Sequence, residues 1–272
     1  MAGRKQQALF PMRIHGDNIL ECERALFLMA NSFSATVHRL ASPLHLPQYQ
    51  VRQGSDSLFT AQLFAGHGRW GVNLQEVLQS CGAPLRESVD AFVTRVLPDG
   101  QREEILLAFE FCNALPAGNN AWQRNGRALA CSAVGIPYLY FAEIGGVELD
   151  AARRIKAPRF PNPVVPFSYL TAGKSFNIVC VPVYSPSQSS SESIRAQFAP
   201  VFGLEEGQRL VKCILESSVI DDPYAKLTAK ALAVTEILAT QRKSLDTLRG
   251  KQWGDFLALE TFSQKTDWLM QN

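Results

Sequence analysis

Much of the usual chemical repertoire is missing from this chain. Its six cysteines, Cys22, Cys81, Cys112, Cys131, Cys180 and Cys213, are scattered, with no CxxC and no short Cys/His spacing. That argues against a structural zinc site and a disulfide framework, and it fits a reducing compartment. The four histidines, His15, His38, His45 and His67, form no motif. "GHGRWG" has glycines but no following Lys-Ser/Thr, so it is not a phosphate loop. No stretch comes near the roughly eighteen uninterrupted apolar residues of a membrane span, and the basic start "MAGRKQQALF" leads into no signal-peptide-like apolar run. A cytoplasmic, soluble protein with no membrane partner is the expectation. A large field of one sign is lacking too. With 27 Lys+Arg against 25 Asp+Glu the net charge is +2, so any nucleic-acid reading has to rest on local clusters.

Such clusters are present: Arg124 with Arg127, and "RRIKAPR", which contains Arg153, Arg154 and Lys156. Apolar residues make up 46% of the 272, enough for a sizeable core. "HGDNILECERALFLMANSF" predicts a helix capped by Asp17 or Asn18, with Ile19, Cys22, Leu26, Met29 and Phe33 as its apolar stripe. At about 100° per residue, Glu23 falls beside that stripe and Glu21 points nearly the opposite way. "SPLHLPQYQV" and "LFTAQLFAG" predict extended segments, and "NLQEVLQSCG" a short helix ending at Gly82.

The pattern sharpens from Ser88 to Val96, a β-branched and aromatic run, followed by the turn "PDGQREE" and the nearly continuous apolar "ILLAFEF". "GNNAWQRNGRALACSAVG" predicts a helix capped by Asn119 or Asn120 and stopped by Gly135; "IPYLYFAEI" predicts a strand. The prolines Pro158, Pro161, Pro163 and Pro166 predict irregular or edge-like chain past Ala157. "SFNIVCVPVYSP" predicts another strand, "SPSQSSSES" an exposed loop, and helices prevail from Glu192 onward. These elements describe an α/β protein in which a mixed central sheet flanked by helices spans 1–185 and a helical C-terminal region spans 186–272.

The hairpin carries the chemistry. Asp90 near the start of one arm and Glu110 near the end of the other lie at the same end, because the turn falls between them. Carboxylates on neighbouring strands can share a metal ion. Glu23 could add a third acid, and Gln123 on the next helix could orient water or contact phosphate. In this order, Glu23 in "ECERAL", Asp90 in "SVDAF", Glu110 in "FEFCN" and Gln123 in "WQRNGRA", the chain resembles the PD-(D/E)XK nucleases, which include many type II restriction endonucleases. The resemblance covers roughly Ile14 to Ile144. It implies a restriction-endonuclease-like core and Mg²⁺-dependent hydrolysis of double-stranded DNA. Asp90 and Glu110 would be the metal ligands, Glu23 and Gln123 would assist, and Arg124, Arg127, Arg153, Arg154 and Lys156 would contact nucleic acid. The C-terminal helices would supply DNA contacts or a homodimer interface. One position departs from the pattern: the lysine expected two residues after Glu110 is Cys112. Arg124, Arg127 or the Asn113 amide could fill the space. The alternatives are a catalytically inactive nuclease-like module that binds nucleic acid or serves in assembly, and an unrelated α/β enzyme with Cys112 as nucleophile.

Overall fold

The computed structural model describes residues 11–66, 79–80, 88–112, 119–146, 152–154, 160–243 and 248–271. Eight strands among them form one sheet: β1 (Met12–Gly16), β2 (Thr36–Arg39), β3 (Gln48–Gln53), β4 (Asp56–Ala65), β5 (Ala91–Val96), β6 (Glu103–Cys112), β7 (Tyr138–Ile144) and β8 (Cys180–Pro186). Their order in space is β2-β3-β4-β1-β5-β6-β7-β8. The pairs β1 with β4, β6 with β7 and β7 with β8 are parallel, and the remaining pairs are antiparallel. The helices are α1 (Ile19–Ser32), α2 (Asn119–Ala133), α3 (Val164–Phe176), α4 (Glu192–Phe198), α5 (Leu204–Leu215), α6 (Asp221–Lys243), α7 (Leu248–Ala258) and α8 (Phe262–Gln271). The chain is thus an α/β protein whose mixed sheet is flanked by helices, with a helical C-terminal stretch.

The hairpin forms as its sequence predicts. Leu97 N–H donates to Arg102 O, Gly100 sits at φ +68°, and Asp99 Oδ1 accepts from the amides of Gln101 and Arg102. Glycine supplies the left-handed residue and aspartate closes the turn. Leu107 to Phe111 on β6 and Tyr138 to Ala142 on β7 are buried throughout, which explains why these strands are apolar on both faces. On α2, Gly135 at φ +76° ends the helix and Ile136 N–H returns to Cys131 O.

Past Ala157 the expected irregular chain is found from Phe160 to Pro163 and no further. From Val164 the chain is helical, because Pro163 precedes the first turn and Pro166 lies within it, where amides have no helical acceptor anyway. Asn162 Oδ1 accepts from Val164 N–H in their stead. The short helix expected to end at Gly82 falls mostly outside the described residues. Helix α5 packs on α1, and α6 packs on α3, α5 and β8. One apolar cluster runs from Ile14 through the sheet to Leu238. The cysteines Cys22, Cys112, Cys131, Cys180 and Cys213 are free thiols. Among the described residues, no helix is long and apolar enough to cross a membrane.

Candidate functional site

Register sets the centre of the site. Ala91 pairs with Phe109, so Asp90 stands opposite Glu110 at the end of the hairpin away from its turn. The Phe111 amide donates to Asp90 Oδ2 at 2.8 Å and fixes that carboxylate. Helix α2 then returns the chain to β7, which runs parallel to β6 and sets Tyr140 beside Glu110. Residues three apart on α2 share a face, and two arginines descend from it. Arg127 Nη1 lies 2.7 Å from Glu110 Oε1 and 3.7 Å from Asp90 Oδ1, so one guanidinium spans both acids. Arg124 Nε is 3.2 Å from the same Glu110 oxygen.

Of the two acids on α1, Glu21 is the one that feels the Asp90 charge, whereas the expectation from sequence named Glu23. Gly16 allows the close approach: a β-carbon there would meet Cys22 Sγ at 2.6 Å and Asp90 O at 3.1 Å. The Asp17 amide donates to Asp90 O, and Asn18 Oδ1 caps the helix by accepting from Leu20 and Glu21 N–H. The first turn of α1 is thereby pinned at the mouth of β5, and Glu21 enters the field of Asp90. Arg24, three residues on, lays its guanidinium over the Phe111 ring at 4.5 Å. Glu23 leaves on the other flank and accepts from Tyr49 Oη at 3.0 Å on β3. The buried arc of α1 includes Ala25 and Leu28 as well as the expected stripe, and these turn the helix toward Glu21.

Burial dominates the electrostatics. Glu110 has no exposed side-chain surface. Its desolvation, reinforced by the Asp90 charge, raises its carboxyl to about 8 against the pull of Arg127 and Arg124. Burial also raises Asp90, opposed by the Phe111 amide and Arg127; Glu21 is raised by burial and by Asp90. Glu110 Oε2 is buried and lacks a hydrogen-bond partner, as do the hydroxyls of Tyr140 and Tyr169. Tyr169 of α3 stacks on Tyr138 and Tyr140 with centroids 6.2 and 5.4 Å away, which extends a polar seam inward from Glu110.

The remaining expected residues are not gathered here. Gln123 is exposed on α2, and Arg153 and Arg154 are exposed beyond β7. Lys156 and Asn113 lie outside the described residues. Cys112 is half-buried and lies within electrostatic reach of Arg124, so an arginine does neighbour the position where lysine was expected. Reading the sequence missed Glu21, Arg24, Tyr140 and Tyr169. The i, i+3 spacing of Glu21 and Arg24 was the available signal.

Among the described residues, no three His, Cys, Asp or Glu side chains are arranged to hold a metal ion. Magnesium, however, is commonly held by one or two carboxylates, with water and phosphate completing its shell. Asp90 and Glu110 are a hard-oxygen pair of that kind, and the orphaned Glu110 Oε2 is a buried acceptor still awaiting a partner. The pair suits such a cation once the Arg127 guanidinium moves. Fold and site together define a mixed α/β protein in which three acids and three arginines gather about the ends of the central strands β5 and β6. No protein-family model, curated protein or solved structure matches the chain.

Proposed function

We propose that the chain is a metal-dependent endodeoxyribonuclease, of the type II restriction class, acting on double-stranded DNA with Mg²⁺. The observation that carries this reading is the convergence of Glu21, Asp90 and Glu110 with Arg24, Arg124 and Arg127 around one buried carboxylate. Acids of this kind suit a cation, and guanidinium groups suit the phosphate oxygens of a strand. Asp90 and Glu110 would hold the ion, which when bound supplies Lewis-acid polarisation of the phosphate and a more acidic water. The chain's own residues do the rest. Asp90 is held by the Phe111 amide, Arg24 and Arg124 would neutralise phosphate charge, and Glu21, at the mouth of β5, would accept a proton from water.

A second reading has its own observation. Arg127 already bridges the two carboxylates, and Cys112 stands where the resemblance expects lysine. A catalytically inactive module that keeps the fold for nucleic-acid binding would look the same. Plasmid cleavage separates the two: purified protein with Mg²⁺, with EDTA, and as Asp90→Ala and Glu110→Ala, on methylated and unmethylated DNA. Discrete fragments lost with EDTA and with either substitution are the expected outcome. Folded protein that cuts nothing with any divalent metal would leave the binding module as the reading.

A further inference from the structure

Arg127 sits where two ligands of opposite charge would meet. Its Nη1 donates to Glu110 Oε1 at 2.7 Å and also reaches Asp90 Oδ1 at 3.7 Å, while Arg124 Nε lies 3.2 Å from the same Glu110 oxygen. Arg127 stands in the gap between two acids that a cation would have to fill. The other Glu110 oxygen is fully buried and meets no donor among the described residues, although burial usually demands complete pairing. Arg127 itself is not sealed in; its side chain keeps 22% of its surface, and the next turn outward along α2 is exposed at Gln123. The guanidinium therefore has somewhere to go, and what it needs there is an anion.

We infer that Arg127 is exchanged between the carboxylate pair and a substrate phosphodiester, so that a divalent cation and the nucleic-acid phosphate bind as a linked pair. This inference rests on the phosphodiesterase reading of the site. A cation placed between Asp90 and Glu110 repels the guanidinium and releases it. A phosphate at the mouth of the site accepts it by charge-assisted hydrogen bonds and leaves the acids open to the cation. Each ligand removes the obstacle to the other, and linkage makes the effect reciprocal. Without nucleic acid the site holds the cation weakly, which keeps an exposed metal–carboxylate centre from forming in the absence of substrate.

Calorimetric titration of Ca²⁺ into metal-stripped protein, alone and with a short DNA duplex, tests this without relying on turnover. In the wild type, duplex should tighten Ca²⁺ binding about tenfold, and Ca²⁺ should tighten duplex binding by the same factor. Arg127→Gln should bind Ca²⁺ alone as tightly as the wild type does with duplex, and the coupling should vanish. Because that variant leaves Glu110 buried beside one arginine fewer, Glu110→Gln serves as a second probe. With its ion pair to Glu110 removed, Arg127 should then bind duplex about tenfold more tightly in the absence of cation, and Glu110→Gln/Arg127→Gln should lose that gain. A wild type whose Ca²⁺ binding depends on Asp90 but is unchanged by Arg127→Gln overturns the exchange and leaves the cation site standing. Ca²⁺ binding that Asp90→Asn does not weaken overturns the exchange and the metal-site reading together.

Discussion

Strand β6 carries two glutamates with shielded side chains, and they are opposite in kind. Glu103, near its start, is saturated: it accepts from Arg13 at 2.5 Å, from Thr94 at 2.5 Å and from His15 at 2.7 Å. His15 is in turn stacked on Phe64. Burial works to raise the Glu103 carboxyl, but the hydrogen bonds from His15, Thr94 and Arg13 outweigh it and bring it down to about 2. Glu110, seven residues on, has one oxygen beside Arg127 and Arg124 and the other without a hydrogen-bond partner among the described residues, and it is raised to about 8. Both side chains are shielded and both meet arginine, but Glu110 is the more deeply buried and has the Asp90 charge beside it, which raises it. They differ in completion as well: Glu103 belongs to a finished hydrogen-bond network, whereas one Glu110 oxygen has no hydrogen-bond donor among the described residues.

Exchanging glutamine at the two positions should break the symmetry most sharply. Glu110→Gln should lower DNA cleavage by about 10³-fold, the several kcal/mol that a lost metal ligand represents, while leaving urea-denaturation midpoints near or above wild type. Glu103→Gln should do the reverse. It should cost about 3 kcal/mol of stability, since it strands His15 and Arg13 in a broken network, and spare cleavage by the protein that remains folded. Loss of cleavage with Glu103→Gln at unchanged stability would remove the distinction.

The pH dependence of stability should then differ in sign. For Glu110 the folded value of about 8 exceeds the ordinary glutamate value of 4.5, so its contribution is complete below about 4.5 and is lost as pH rises towards 8. For Glu103 the folded value of about 2 lies below 4.5, so its contribution is complete above about 4.5 and is lost as pH falls towards 2. Thermal melts should show Glu110→Gln flattening the alkaline-side decline and Glu103→Gln flattening the acid-side one.

A weaker effect sharpens the comparison on α1. Glu21→Gln should reduce cleavage by about tenfold, consistent with an acid at the edge of the cluster contributing about 1.4 kcal/mol. Glu23→Gln should leave cleavage unchanged and cost about 1 kcal/mol of stability through its bond to Tyr49. Smallest of all, Arg95→Ala, which breaks the half-exposed pair with Glu104 across the β5–β6 hairpin, should change stability by about 0.5 kcal/mol or less. Cleavage that responds to Glu23 and ignores Glu21 would reinstate the first assignment.

The sequence by itself determined the local features. The turn at Pro98 to Gln101, the apolar run of β6, the α2 stop at Gly135 and the sheet-plus-helices architecture were all legible, because each depends on neighbours within a few residues. Opposed acids at one end of a hairpin were legible as well, since an antiparallel pair fixes which residues face each other. What tertiary structure alone decided was which flank of α1 meets that pair. A helical wheel orders Glu21 and Glu23 around an axis, but only the strand order, with β5 on one side of β1 and β3 and β4 on the other, says which of them reaches Asp90. Tertiary structure also decided that Arg127 would span the two acids, that Gln123 would face solvent, and that His15, which belonged to no motif, would complete the shell of Glu103 eighty-eight residues away. Such partners are set by packing between distant segments, and no periodicity along the chain encodes them.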